Sequence, residues 1–291
     1  MPLSFGRREA LGLAALWLVP READASTNLR VASMDWALTE TMLALGRKPL
    51  AIVAAVDWRR FVVEPALPAG VADLGLQQEI NLELLASLEP NLILSSPFLA
   101  NLEPALQRIA KTVSLSIFEK AALPLSQPRV LAEKLGLLLD CEAAARRYLA
   151  LAEQKFDEYR KRVAGLGTRP VLLVNFIDAR HVRVYGGSGL FQNVLDRLGV
   201  VNAWTGATNY WGFSTLGIEQ LATDKDLRLI TFEPIPADAL PTLERSPLWS
   251  MLPFVRAKRV SVLPAVFMFG AIPSALRFAR LLVAALEGTS R

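Results

Sequence analysis

One phrase occurs twice in this chain, and it narrows the possible folds more than any other feature. Asn81–Ser96 reads NLELLASLEPNLILSS and Gly217–Thr231 reads GIEQLATDKDLRLIT. Each is a short helix pattern, a turn, and an apolar run suited to a buried strand. The lead-ins match as well. TETMLALGRKPLAIV precedes the first copy and FQNVLDRLGVVNAW the second, each a helix with a Leu-Gly stop and a return to extended chain. Between the halves lies the longest helical pattern, Asp140 to about Val163. It carries Ala145, Tyr148, Leu149, Ala152, Phe156, Tyr159 and Val163 on one face and charges on the other. Asp140 is the expected N-cap and Gly165 the expected stop. Such a helix is about 35 Å long, enough to act as a strut.

The expected fold class is α/β: two α/β lobes joined by one long helix. The expected division is a leader over 1–25, a first lobe over 26–138, the helix over 139–165 and a second lobe over 166–291. Strands are expected at Leu29–Ser33, Leu50–Val56, Leu92–Ser95 and Val113–Ile117 in the first half. In the second they are expected at Val171–Ile177, His181–Tyr185, Leu227–Phe232 and Val260–Leu263. Helices alternate with them, which favours parallel or mixed sheets. With 291 residues, 52% of them hydrophobic, the chain can bury a core in each lobe.

Several functions are disfavoured. The net charge of +4 comes from scattered basic residues, without the stripe that nucleic-acid binding needs. One cysteine, Cys141, and one histidine, His181, allow no intrachain disulfide and no Cys/His zinc cluster. The single histidine and the lack of a GxSxG elbow count against an exported hydrolase. His181 reads as a structural or surface residue. Gly186-Gly187-Ser188-Gly189 lacks the lysine and spacing of a phosphate loop and reads as a plain turn. The N-terminus, MPLSFGRREALGLAALWLVPREADAS, has an arginine pair, the apolar stretch Ala10–Val19 and an A-x-A pattern at Ala23–Ala25. This is the pattern of an export leader, with Sec and twin-arginine routes both open.

Paired α/β lobes leave a cleft at the carboxyl ends of their strands. The expected loops there are aromatic: Met34-Asp35-Trp36, Asp57-Trp58-Arg59-Arg60-Phe61, Ser95-Ser96-Pro97-Phe98-Leu99, Trp204, Asn209-Tyr210-Trp211-Gly212-Phe213 and Phe267-Met268-Phe269. Rings of this kind offer large contact area at low entropy cost. The polar groups among the loops are few: Asp35, Asp57, Arg59, Arg60, Gln77, Gln78 and Asn209.

The stretches LALG, EPALP, DLGLQQEINLELL, FIDARHVRVYG, LFQNVLDRLG, NAWTGATNYWG, PLWSMLPFVRAKR and PAVFMFGA run through almost the whole chain. Together they resemble the periplasmic iron(III)-hydroxamate, or ferrichrome-type, siderophore-binding proteins of ABC importers. The resemblance implies a class III periplasmic substrate-binding protein, working as a monomer in the periplasm. Such a protein holds a ferric siderophore in a shallow aromatic cleft and moves little on binding. It hands the ligand to an inner-membrane ABC permease. No cofactor and no protein-bound metal are implied, because iron arrives inside the siderophore.

By resemblance the main aromatic contact falls on Trp211, an early contact on Trp36, and a loop pair on Phe267 and Phe269. Trp58, Gln77, Gln78, Phe98, Leu99 and Asn209 complete the expected ligand site. Permease contacts fall near Glu103 and on Glu219. The departures lie in the pocket. The family has arginine where this chain has Gln77 and tyrosine where it has Leu99, with Phe98 adjacent. Trp and Tyr stand in the family at the Phe267 and Phe269 positions. Losing a cation and polar donors should shift affinity and specificity. A non-hydroxamate siderophore or another bulky ligand such as cobalamin stays open as an alternative.

Overall fold

The structure, a computed structural model, describes residues 29–117, 126–222 and 226–288. The leader expected over 1–25 lies outside the described residues. Apolar runs such as Leu92–Ser95 (LILS) and Val171–Phe176 (VLLVNF) suit strands covered on both faces, and they form the centres of two sheets. The first sheet contains β1 (Val31–Ser33), β2 (Ala51–Ile52), β3 (Ala72–Asp73), β4 (Leu92–Ser95) and β5 (Lys111–Ser114). Its order is β3-β2-β1-β4-β5, parallel throughout. The second contains β6 (Val171–Phe176), β7 (His181–Tyr185), β8 (Phe213–Gly217), β9 (Arg228–Phe232) and β10 (Val260–Leu263), in the order β10-β9-β6-β7-β8. There β10, β9 and β6 run parallel, whereas β7 is antiparallel to both β6 and β8.

The repeated phrase has a structural counterpart. Its first copy forms the helix Leu82–Ser87, capped by the Asn81 side chain accepting from Leu84 N–H at 2.8 Å, and then β4. Its second copy forms a 3-10 turn, Ile218–Leu221, and then β9. β4 and β9 each lie parallel beside the first strand of their sheet, with Leu92 opposite Val31 and Arg228 opposite Val171.

The linking helix runs from Glu142 to Ala164, 23 residues or about 35 Å. Its buried stripe changes partners along its length. Ala145 packs in the first-lobe core, Leu149 and Ala152 pack against Ala132 and Ile272, and Phe156, Tyr159 and Val163 enter the second-lobe core. Asp140 is not its N-cap. It has φ 48 and closes the preceding helix, Ser126–Leu138, with Asp140 N–H donating to Leu137 O and Cys141 N–H to Gly136 O at 2.8 Å. This is the Schellman pattern with aspartate in the left-handed position usually held by glycine. Cys141 therefore takes the capping position of the long helix.

Two other expectations change. Of Leu50–Val56 only Ala51–Ile52 joins the ladder, because Ala54 turns left-handed (φ 47) and Ala55–Phe61 winds into a helix. Asp57 in its first turn and Arg59 and Arg60 in its last complement the helix dipole. The stretch Phe213–Gly217 forms an edge strand that its polar composition did not predict. Among the described residues, no helix is long and apolar enough to cross a membrane.

The closing helix, Ile272–Leu286, belongs to the second-lobe core through Phe278, Leu282 and Val283, yet its start is gripped by the first lobe. Glu40, fully buried on the first helix (Trp36–Ala44), accepts from Ala271 N–H and, at 2.6 Å, from Ser274 Oγ. Glu64 accepts from Arg277 at 2.6 Å and from Arg280 at 2.8 Å. Both carboxylates hold the two lobes together through one helix.

Candidate functional site

A cavity of about 410 Å³ opens between the lobes, within the range of small-molecule sites. Every strand of the first sheet sends the segment after its carboxyl end into it. β1 supplies Asp35 and Trp36, β2 Val53 and Ala54, and β3 Leu76, Gln77 and Gln78; β4 supplies Ser96 and Phe98, and β5 Leu115, Ser116 and Ile117. The second lobe contributes Phe267 and Phe269 after β10, and Trp211 from the loop leading into edge strand β8.

The rings form a continuous band that crosses the lobe boundary twice. Trp36 meets Phe267 at 5.3 Å, Phe267 meets Phe269 at 6.0 Å, Phe269 meets Trp211 at 5.6 Å, and Trp211 meets Phe98 at 5.0 Å, all between ring centroids. Most contacts are edge-on, the arrangement that ring quadrupoles favour. Trp36 is fixed further by its indole N–H, which donates to Val53 O at 2.9 Å.

Three expected site residues lie elsewhere. Trp58 is fully buried behind Trp36, 5.9 Å from it, with its indole N–H donating to Pro65 O at 2.8 Å. The helix at Ala55–Phe61 turns it away from the cavity, so it supports the Trp36 ring from below. Leu99 is buried in the first-lobe core, because the 3-10 turn Pro97–Leu99 points the half-exposed Phe98 outward in its place. Asn209 does not line the cavity. Its Oδ1 accepts from Trp211 N–H at 2.9 Å and from Phe213 N–H at 3.3 Å, so it shapes the loop that carries Trp211.

Of the other polar candidates, Gln77 and Gln78 line the cavity while Asp57, Arg59 and Arg60 do not; the Arg60 guanidinium lies 5.1 Å from the Phe61 ring. Trp204 lines a separate open hollow in the second lobe, packed against Gly186 and Gly206. His181 is exposed, with its ring nitrogen 3.0 Å from the Asp178 carboxylate.

The glycine run has a role beyond a turn. Gly186 N–H donates to Gly212 O at 2.9 Å, and a Cβ on Gly212 would meet Gly189 Cα at 2.3 Å. Gly212 also has φ +79, a conformation that favours glycine. Two glycine turns thus interlock and present Trp211. The signal was visible as two separate glycine motifs, but only their contact reveals the purpose.

Asp35 caps the first helix, its Oδ1 accepting from Ala37 N–H at 2.8 Å and Leu38 N–H at 3.1 Å. Burial pushes its carboxyl above the usual range, and those N–H groups oppose the push. Gln77 is held in the floor by donating Nε2 to Met34 O at 3.2 Å. Glu103 begins the short helix Glu103–Gln107, one turn past the Phe98 segment, and accepts from Gln107 at 3.0 Å. Glu219 sits exposed on the 3-10 turn after β8.

Two α/β sheets bridged by a long helix, with an aromatic cleft between them, define a two-lobed substrate-binding protein of the class III type. The chain belongs to the periplasmic binding protein family, whose model matches residues 31–266. It is 36% identical to the iron(3+)-hydroxamate-binding protein FhuD of Escherichia coli (strain K12), over 99% of this chain and 98% of that protein. Among solved structures it is similar to the Fe3+-Desferal-bound siderophore-binding protein FhuD of Vibrio cholerae. That match has a TM-score of 0.82 and 26% identity, covering 90% of this chain and 99% of the other. The fold is also shared with FhuD2 of Staphylococcus aureus bound to ferrioxamine B, at TM-score 0.70 and 20% identity, covering 90% and 100% of the two chains.

Proposed function

We propose that this protein is an exported carrier that captures a ferric hydroxamate siderophore in the periplasm and delivers it unchanged to an ABC permease. The observation that carries the reading is the ring band of Trp36, Phe267, Phe269, Trp211 and Phe98 around the interlobe cavity. The 36% identity to a hydroxamate-binding relative supports the ligand class. A siderophore fills its iron's coordination shell with its own oxygens. The carrier then needs ring surface for the organic shell and a few polar groups, here Gln77 and Gln78, for orientation.

Fluorescence titration of the mature chain with ferrichrome, ferrioxamine B, a ferric catecholate, a ferric citrate-type complex and cobalamin tests the reading. Saturable quenching by a ferric hydroxamate in the micromolar range or tighter is expected. Response to cobalamin or the catecholate alone would move the substrate and overturn the hydroxamate assignment.

Glu103 and Glu219 stand on different lobes and are the proposed permease contacts. Exposed charges at such a junction govern orientation and encounter rate more than affinity. Glu219→Arg should leave siderophore binding within about twofold of the parent, because the residue lies outside the cavity, and should strongly reduce iron uptake through the cognate permease. Normal uptake by that variant would remove Glu219 from the docking surface.

A further inference from the structure

The floor of the cleft has a definite electrostatic sense. Asp35 is the only ionisable group among the described residues that line it. Its Oδ1 is taken by the two helix N–H groups. The Ser96 hydroxyl lies near the same carboxylate and is buried, yet it makes no hydrogen bond of ordinary geometry. Gln77 donates one of its two amide N–H groups to Met34 O and keeps its amide oxygen as an acceptor. Among the described residues, Asp35 is thus the one charge-bearing group in the lining, beside the neutral polar side chains of Gln77, Gln78, Ser96 and Ser116 and with no cation to balance it. The remaining wall is largely rings and aliphatic side chains, which give a displaced anion no compensation.

Ferric complexes differ in charge. Three hydroxamates neutralise one ferric ion, and a linear tris-hydroxamate with a terminal ammonium group carries one positive charge. Tris-catecholate and citrate-type complexes are anionic. We propose that the cleft selects its ligand by charge, taking neutral or cationic ferric hydroxamates that bring N–H donors to Asp35 and Gln77, and rejecting anionic complexes. This rests on the siderophore-carrier reading and narrows it to a charge class. Asp35 is thereby a specificity-determining residue in addition to a helix cap.

One scaffold in three charge states isolates the effect. Ferrioxamine B carries the ammonium group, its N-acetyl derivative is neutral, and its N-succinyl derivative is anionic, with the same iron core in each. The parent protein should bind them in that order, with affinity falling about tenfold per unit of charge at low salt. Asp35→Asn keeps an N-capping side chain and so preserves the helix start. It should compress the three affinities to within about threefold of one another. Gln77→Arg places a cation in the floor and should raise the affinity for the anionic derivative relative to the cationic one by about tenfold or more. Equal binding of all three by the parent, or an unchanged order in Asp35→Asn, overturns the charge selection while leaving the carrier function standing. Failure to bind any of the three overturns this inference, whereas the hydroxamate reading falls only if ferrichrome also fails to bind.

Discussion

Trp211→Ala is expected to weaken ferric hydroxamate binding by about 30- to 100-fold, while the thermal midpoint moves by only a few degrees. Trp211 is the junction of the ring band. It touches Phe98 of the first lobe at 5.0 Å and Phe269 of its own lobe at 5.6 Å. Removing it opens the cavity wall on one side and takes away a large, rigid contact surface. The loop itself is held by other groups, namely the Gly186–Gly212 hydrogen bond and the Asn209 side chain on Trp211 and Phe213 N–H. The fold should therefore survive the truncation. Calorimetric titration measures the affinity, and circular dichroism checks the fold. Parent-like affinity in a folded Trp211→Ala protein would remove this ring from the ligand site.

The second large effect concerns the grip between the lobes. Glu40 is buried in the first lobe and satisfies the start of the closing helix, accepting from Ala271 N–H and from Ser274 Oγ and N–H. Gly270 has no room to spare there, since a Cβ would lie 2.2 Å from Ser274 Oγ and 2.8 Å from Glu40 Oε1. Glu40→Ala leaves those donors buried without an acceptor and opens a cavity, so it should cost about 3 kcal/mol or more. Glu40→Gln keeps the shape and one acceptor and should cost much less.

The same carboxyl sets a pH dependence. Burial pushes Glu40 from 4.5 up to about 8, opposed by hydrogen bonds from Ser274 Oγ and the Ala271 and Ser274 N–H groups, with a small further push from the charge of Asp35. Between those two values the folded chain retains a proton that the unfolded chain has released. The stability this provides is complete below pH 4.5 and is lost as the pH rises through about 8. The loss is up to about 1.4 kcal/mol per pH unit within the window. Urea unfolding at pH 5 and pH 8 should show the parent several kcal/mol less stable at the higher pH, with a much smaller difference in Glu40→Gln. Equal differences in the two proteins would place the pH dependence elsewhere.

How much of this was legible in the chain differs from element to element. The long helix was plain, because Ala145, Leu149, Ala152, Phe156, Tyr159 and Val163 keep helical spacing over many turns. Its exact start was not, because aspartate serves equally well as an N-cap and as a left-handed helix end, and only the packing of the preceding helix decides which. Trp36, Trp211, Phe267 and Phe269 were legible as rings on loops between apolar runs. Trp58 carried the same signal and lies in the core, since ring type says nothing about which way a helix turns it. Phe98 and Leu99 were both expected in the site, and only Phe98 lines the cavity, for a similar reason: one step along a 3-10 turn redirects a side chain from cleft to core.

By itself, the sequence determined the two-lobed α/β plan, the strut between the lobes and the aromatic character of the loops at the strand ends. These follow from local periodicity, glycine and proline stops and the repeated helix-turn-strand phrase, all of which act over a few residues. The tertiary structure alone decided that the rings close into one band across two lobes, that the glycine turns at 186–189 and 212 interlock, and that Glu40 and Glu64 grip the closing helix. Those contacts join residues up to 234 positions apart. Their geometry depends on how two sheets and a shared helix pack, which no local pattern encodes.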